Sequence, residues 1–177
     1  MMTTEPIVES ELRFGPFPEG HCFYIEKSKT YQNIEEGVKI AEFLLLRLSP
    51  QNGKPDTIWV IEAKSSAPRP NNHIDFDKYI EEIRAKFTNS LTLAMTACLK
   101  RHPQADAELS DNFKQLDLAS IQFILVLVIS DFQDEWLPPL KDALTQVLHP
   151  TIKTWALGTP AVLVLNEAMA RQKELII

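Results

Sequence analysis

Two apolar segments separated by turn-forming residues constrain this fold more than any other feature of the sequence. The first is residues 38–48, VKIAEFLLLRL, and the second is residues 57–64, TIWVIEAK. Residues 49–56 between them read SPQNGKPD, and their Asn-Gly pair and two prolines favour a reversal of the chain. The pattern predicts two adjacent antiparallel strands inside a buried sheet.

Each of these strands carries a carboxylate near one end. Glu42 lies in the first strand, and Glu62 lies in the second with Lys64 two positions later. Since side chains alternate along a strand, Glu62 and Lys64 share one face. Directly opposed residues point to the same side of a sheet, so a register that sets Glu42 level with Glu62 brings both carboxylates to that face.

The turn decides whether this register forms. A strict two-residue turn at Asn52-Gly53 would send Glu42 and Glu62 to opposite faces of the sheet. Pro50 and Pro55 disfavour so tight a hairpin. A loop of odd length, or a single β-bulge, restores the pairing of the two glutamates.

The other segments alternate between strand and helix patterns. Residues 21–31 are rich in aromatic and β-branched side chains and predict a first strand. Residues 74–101 repeat apolar side chains at spacings of three and four, which predicts a long helix with one buried face. The apolar run 121–130 predicts a buried strand, residues 131–148 predict a helix, and residues 161–165 predict a last strand before a short closing helix.

This order of elements indicates the α/β (α+β) class. We expect a mixed sheet in which a β-meander is followed by αβαβ units, with helices flanking the sheet. The 177 residues suffice for a single domain covering residues 1–177. Prolines and glycines in residues 1–20 predict an irregular N-terminal arm with one short helical turn near Ile7–Leu12.

Composition excludes several functional classes. A net charge of -6 disfavours non-specific coating of nucleic acid, and the longest apolar run is too short to span a bilayer. The first residues lack the pattern of a secretory leader, so we expect a cytoplasmic protein with no membrane partner. Cys22 and Cys98 lie far apart in apolar surroundings, which predicts free thiols. Phosphate-loop, dinucleotide, zinc-protease and serine-hydrolase motifs are absent from the sequence.

Two carboxylates close together in a buried place cannot both ionise without a compensating positive charge. Lys64 supplies one charge, and a hard divalent cation, Mg²⁺ with Mn²⁺ as a substitute, would supply the rest. Such a cation with an adjacent lysine favours hydrolysis of a phosphodiester. The alternative interpretation is a cross-strand ion pair of Glu62 and Lys64 at a sheet edge, with Glu42 exposed to solvent.

Glu42, a hairpin and then Glu62-Ala63-Lys64 after an apolar run resemble the PD-(D/E)XK nuclease superfamily over about residues 21–130. The segment EAKSSAP also resembles bacterial proteins of unassigned function placed near that superfamily. The resemblance implies a restriction-endonuclease-like fold in which Glu42 and Glu62 bind Mg²⁺ and Lys64 assists the attacking water.

The chain departs from that pattern in two places. Ala41-Glu42 stands where the superfamily has Pro-Asp. Many members also carry an acid on a helix before the first strand, and here the candidates for that acid are Glu9, Glu11 and Glu26.

Two functional hypotheses follow. The first is a Mg²⁺-dependent endonuclease that hydrolyses phosphodiester bonds, with DNA as the expected partner. The second is a catalytically inactive protein of the same fold that acts as a binding or regulatory partner or as a homodimer. Four basic residues after the E-x-K segment are candidates for a phosphate-contacting edge, although a solvated helix face explains the last three equally well: Arg69, Lys78, Arg84 and Lys86.

Overall fold

Residues 2–177 are described by a computed structural model, in which five strands form one mixed sheet and two more form a separate hairpin. In chain order the strands are β1 (Ile7–Glu9), β2 (Leu12–Phe14), β3 (Cys22–Phe23), β4 (Phe43–Leu48), β5 (Pro55–Lys64), β6 (Gln122–Ile129) and β7 (Val162–Asn166). The large sheet has the spatial order β3-β4-β5-β6-β7, with antiparallel pairing among β3, β4 and β5 and parallel pairing from β5 to β7. The predicted mixed sheet of the α/β class is thereby confirmed.

The described residues also form six α-helices. They are α1 (Lys29–Gln32), α2 (His73–Cys98), α3 (Ala105–Glu108), α4 (Asp111–Lys114), α5 (Leu137–Thr154) and α6 (Glu167–Gln172). The long helix and the helices after β6 and β7 lie where the apolar spacings predict them. None of the helices in residues 2–177 combines the length and the apolar character that crossing a membrane requires.

A core lies on each face of the sheet. Helices α2 and α5 cover one face, where even-numbered side chains of β4 and β5 such as Leu44 and Val60 are buried. The N-terminal hairpin and the C-terminal residues cover the other face, around Phe43 and Ile61. Because both faces are covered, the buried parts of the central strands are largely apolar, with Glu62 as an exception.

The hairpin register has the predicted parity. Phe43 lies opposite Ile61, and a β-bulge between Arg47 and Leu48 shifts the ladder next to the turn. The bulge absorbs one residue, as the two prolines of the turn lead one to expect. Extending the ladder one step beyond Phe43 sets Glu42 level with Glu62.

Two predictions for the N-terminal third are wrong. The expected first strand at 21–31 contains only β3, after which a 3-10 turn at Ile25–Lys27 and helix α1 follow. Ser28 explains the change, since its hydroxyl accepts a hydrogen bond from the Tyr31 N–H at 3.0 Å and so caps α1. The arm at 1–20 is not irregular over Ile7–Leu12, where β1 and β2 pair instead of forming a helical turn.

The strand expected from residue 38 begins only at Phe43. Ile40 and Ala41 are buried against the α2 side of the sheet, and the Ala41 N–H donates to the hydroxyl of Ser90 on α2 at 2.9 Å. A helix side chain therefore replaces the strand ladder as the partner of this backbone.

The turn between β1 and β2 is conformationally strained. Ser10 and Glu11 both have positive φ, 49° and 67°, in a two-residue hairpin loop that usually contains glycine or asparagine. Positive φ costs a non-glycine residue about 1–2 kcal/mol. The Ser10 hydroxyl compensates in part by donating to the Ala63 carbonyl at 3.0 Å.

Replacing Glu11 by glycine is expected to raise the free energy of unfolding by about 0.5–1 kcal/mol, because glycine removes the steric cost and loses only part of that gain to chain entropy. Urea denaturation measures the change. Glu36→Gly is the matched control, since Glu36 is exposed and lacks positive φ. A loss of stability in Glu11→Gly equal to that of the control would contradict the strained turn.

Candidate active site

Glu42 and Glu62 meet at the end of the hairpin. Glu42 immediately precedes β4, and its N–H donates to the Ile61 carbonyl at 3.0 Å. Glu62 lies near the end of β5, which is a central strand between β4 and β6. Glu42 is 6% exposed and Glu62 is 0% exposed. The alternative interpretation is therefore wrong in placing Glu42 in solvent and Glu62 at a sheet edge, although Glu62 and Lys64 do form an ion pair at 3.5 Å.

Glu42 belongs to a cluster of three carboxylates. One oxygen from each of Glu9, Glu26 and Glu42 lies within 4.8 Å of the other two. Opposed oxygens in a Mg²⁺ shell are about 4 Å apart, and those in a Ca²⁺ shell are about 5 Å apart. The spacing therefore suits ligands of one hard divalent cation. Among residues 2–177 no further group of three metal-ligating side chains meets this criterion.

Two local structures bring Glu9 and Glu26 to Glu42. Glu9 ends β1, accepts a short hydrogen bond from the Tyr24 hydroxyl and is held by the adjacent Ser10 bond to β5. Glu26 lies on the 3-10 turn, and its N–H donates to the Glu42 carbonyl at 3.1 Å. The exposed Lys27 lies 3.9 Å from Glu9 and 3.7 Å from Glu26. Glu11, the third upstream candidate, is exposed.

Glu62 is paired with lysines instead of with the carboxylate cluster. Its Oε1 accepts a hydrogen bond from Lys86 Nζ at 2.7 Å and lies 3.5 Å from Lys64 Nζ. Lys64 donates to Glu82 Oε1 at 2.9 Å, and Lys39 lies 3.7 Å from the other oxygen of Glu82. A chain of alternating charges thus extends from the buried Glu62 to the surface.

Within residues 2–177, two buried carboxylate oxygens lack hydrogen-bond partners. They are Glu42 Oε2 and Glu62 Oε2, and the nearby hydroxyl of Tyr79 is also unpartnered. An unpaired buried charge is costly, so such oxygens are normally satisfied by a donor, a proton or a metal ion. The oxygens available to a metal ion here are carboxylate oxygens, which are ligands that Mg²⁺ and Ca²⁺ prefer. The residues present therefore fit a hard divalent cation.

Burial controls the ionisation of both glutamates. Desolvation, the contact with Glu26 and the charge of Glu62 raise the pKa of Glu42 to about 8. Desolvation also raises the pKa of Glu62, although Lys86 and Lys64 oppose it. A metal-free site therefore retains a proton at neutral pH, which neutralises part of the excess negative charge.

The pKa of Lys64 responds to its two acidic neighbours. Burial alone would lower it, but the hydrogen bond from Lys64 to Glu82 and the charge of Glu62 raise the pKa above its ordinary value. Lys64 is therefore an ammonium at neutral pH. Such a group stabilises negative charge and cannot accept a proton.

The predicted residues thus lie at the same end of the sheet, but they belong to two groups that the sequence did not indicate. Glu42 joins Glu9 and Glu26, whereas Glu62 and Lys64 join Lys86 and Glu82. The partners on α2 lie at positions 79, 82, 86 and 90, of which the sequence singled out only Lys86, as a candidate for phosphate contact. Their spacings of three and four place them on one side of the helix. That polar stripe, adjacent to an apolar one, is the signal that could have located them.

The four basic residues after the E-x-K segment separate in the structure. Lys86 enters the site, where its side chain is 14% exposed. Arg84 pairs with Glu81 on the surface, and the Arg69 guanidinium lies over the Trp136 ring at 5.0 Å. Arg84 thus lies on a solvated helix face, which is the alternative interpretation, whereas Lys86 does not.

In the presence of EDTA, the free energy of unfolding is expected to fall as the pH rises from about 5 to about 8. The folded chain keeps the Glu42 proton up to about pH 8, whereas the unfolded chain releases it near the ordinary value of 4.5, so the folded state binds more protons in this window. Glu42→Gln should flatten the dependence and exceed the wild type in stability at pH 8. Urea denaturation across this range measures both, and an unchanged slope in Glu42→Gln would contradict the raised pKa.

No protein-family model, curated protein or solved structure matches this chain. The resemblance to the PD-(D/E)XK superfamily therefore stays a prediction. The functional proposal rests on the arrangement of buried carboxylates and lysines.

Proposed function

We propose that this protein is a Mg²⁺-dependent nuclease of restriction-endonuclease-like fold that hydrolyses phosphodiester bonds in DNA. The observation that carries the proposal is the pair of unpartnered buried oxygens, Glu42 Oε2 and Glu62 Oε2, at the end of one hairpin and next to two lysines. Buried polar groups of this kind are expected at a functional site.

The topology supports the same proposal. Strands β3, β4 and β5 form an antiparallel meander, helix α2 follows, and β6 then joins the sheet parallel to β5. This is the order that the sequence resemblance implies. The site lies where the parallel strands β5 and β6 end, the edge at which open α/β sheets bind ligands.

Glu42 is the ligand that the cation site depends on. Glu9 and Glu26 would offer oxygens to the same ion, and Glu62 lies close enough for its charge to raise the pKa of Glu42. Bound Mg²⁺ supplies Lewis-acid polarisation of a phosphoryl oxygen and lowers the pKa of a coordinated water. Glu9 and Glu26 would take the role of the upstream acid that many members of the superfamily carry on a helix.

Lys64 provides the fixed positive charge of the mechanism. Its hydrogen bond to Glu82 and its proximity to Glu62 hold the ammonium beside Glu62, with 26% of the side chain exposed. From this position it orients an attacking water and stabilises negative charge that develops on the phosphoryl group. Glu62, held by Lys86, fixes the end of β5 from which Lys64 projects.

A second candidate function rests on the ion pairs themselves. Lys86 and Lys64 already neutralise Glu62, and Glu82 already engages Lys64. A catalytically inactive protein of the same fold that binds a regulatory partner would need nothing more at this site. The acidic net charge of -6 favours a protein partner over DNA in that case.

Adding MgCl₂ or CaCl₂ at saturating concentration should raise the melting temperature by about 5 °C, because a cation that binds only the folded state stabilises it. Glu42→Gln should abolish the rise, since it removes a ligand charge without removing volume. Differential scanning calorimetry measures the shift.

The matched control for this shift is Glu19→Gln, which neutralises an exposed carboxylate outside the cluster and should leave the rise intact. The metal site is ruled out if the wild type shows no rise, or if Glu42→Gln shows the same rise as the wild type.

Cleavage of labelled single-stranded and duplex DNA in MgCl₂ should fall at least about 100-fold in Lys64→Met and in Glu62→Gln, because each removes a charge close to the reacting phosphate. Gel electrophoresis over a time course measures the rate. Lys78→Met serves as the control for loss of a lysine elsewhere.

Two results would decide against catalysis at this site. Equal cleavage by Lys64→Met and the wild type would exclude Lys64 from the reaction. A wild-type chain that binds Mg²⁺ but leaves both DNA substrates intact would favour the second candidate function.

A further inference from the structure

Lys86 occupies a position that neither the sequence pattern nor the proposed mechanism explains fully. Its ammonium carries three N–H donors, and one of them is used by Glu62 Oε1 at 2.7 Å. No other hydrogen bond from this ammonium exists within residues 2–177. Lys64, in contrast, is shared between Glu62 and Glu82. Lys86 therefore has two N–H donors left for a ligand.

An open groove leads to Lys86 from the surface. Its volume is about 450 Å³, and its lining includes Glu26 of the carboxylate cluster, Lys86 itself, and Lys39 near the rim. Lys64 is not part of the lining. The groove is thus lined by one cluster carboxylate and one ammonium, which are groups that bind a cation and a phosphate respectively.

The charges around the groove limit the size of the ligand. Glu35 and Glu82 also border it, and an adjoining groove carries Asp77 and Glu81. A duplex lying across these carboxylates would be repelled, because DNA binding depends on neutralising many phosphates. A volume of this size accommodates a small ligand such as one nucleotide.

We propose that Lys86 donates a hydrogen bond to the reacting phosphate and that this groove receives the terminal nucleotide of a nucleic-acid strand. The proposal rests on the proposed function and deepens it by naming the end of a strand as the substrate. Lys39 guides the phosphate from the rim, and Lys86 holds it next to the carboxylate cluster.

Thymidine 5′-monophosphate is the probe, since it presents one nucleotide and one phosphate and is not a diester. Isothermal titration calorimetry in MgCl₂, and again in EDTA, is expected to show binding to the wild type. Lys86→Met should weaken binding about tenfold or more through loss of a charged hydrogen bond. Lys39→Met should weaken it about twofold to threefold, and Lys78→Met, on the same helix but outside this groove, should not change it.

A further pair of variants separates contact with phosphate from support of Glu62. Lys86→Met leaves Glu62 with a weakened partner, so its folding is checked by circular dichroism. In the Glu62→Gln background the carboxylate charge is gone, and Glu62→Gln/Lys86→Met is expected to bind the probe about tenfold more weakly than Glu62→Gln. Equal affinity of these two proteins would mean that Lys86 acts only through Glu62 and would overturn the proposal.

Lys39→Met tests the groove even if the Lys86 variants fail to fold. The Lys39 side chain is 58% exposed, so its loss does not disturb the core. Absence of probe binding to the wild type would also overturn the proposal. If the wild type binds the probe through Lys86 but cleaves no DNA, the nuclease proposal fails and the nucleotide groove stands. If the wild type cleaves DNA while Lys86→Met binds and cleaves equally well, the proposal for Lys86 fails alone.

Discussion

The ion pair between Glu62 and Lys86 is the interaction on which the rest of the site depends. Glu62 is fully buried, and an isolated buried carboxylate would cost several kcal/mol, so the ammonium from α2 must be present at this position. The pair fixes the rotation of α2 relative to β5. With that rotation set, Ser90 on the same helix meets the Ala41 N–H and holds the backbone that carries Glu42. One helix thereby positions both halves of the site.

The site nevertheless holds more negative charge than its lysines neutralise. Four glutamates converge at this end of the sheet, Glu9, Glu26, Glu42 and Glu62, and the pKa of Glu42 is raised to about 8 in response. Either a proton or a divalent cation can neutralise this excess of negative charge. Because a cation would bind the ionised form, its binding would be coupled to loss of the Glu42 proton. The raised pKa and the fit to a hard metal ion are thus two consequences of one arrangement of charges.

The sequence predicted those elements whose patterns are local and continuous. Apolar runs and periodic spacings located β5, β6 and α2, and the prolines of the turn indicated that Glu42 and Glu62 share a face. The N-terminal third could not be read in this way. Its hairpin is closed by Ser10 and Glu11 in a conformation that their residue types disfavour, and long-range contacts with β5 and Phe43 compensate. For the same reason Glu9 and Glu26 reach the site through tertiary contacts that no spacing in the sequence encodes.

The departure of Ala41-Glu42 from the Pro-Asp of the resembled superfamily has a structural reason in this chain. Residue 41 is fully buried, and its N–H donates to Ser90 at 2.9 Å, a bond that proline cannot make. A proline here would leave the buried Ser90 hydroxyl without this donor and would free the segment that carries Glu42 from α2. The longer side chain of Glu42 then suits a cluster whose other members approach from the N-terminal hairpin and the 3-10 turn. The absence of Pro-Asp is therefore explained by how α2 and the N-terminal residues build this site, and it does not count against cation binding.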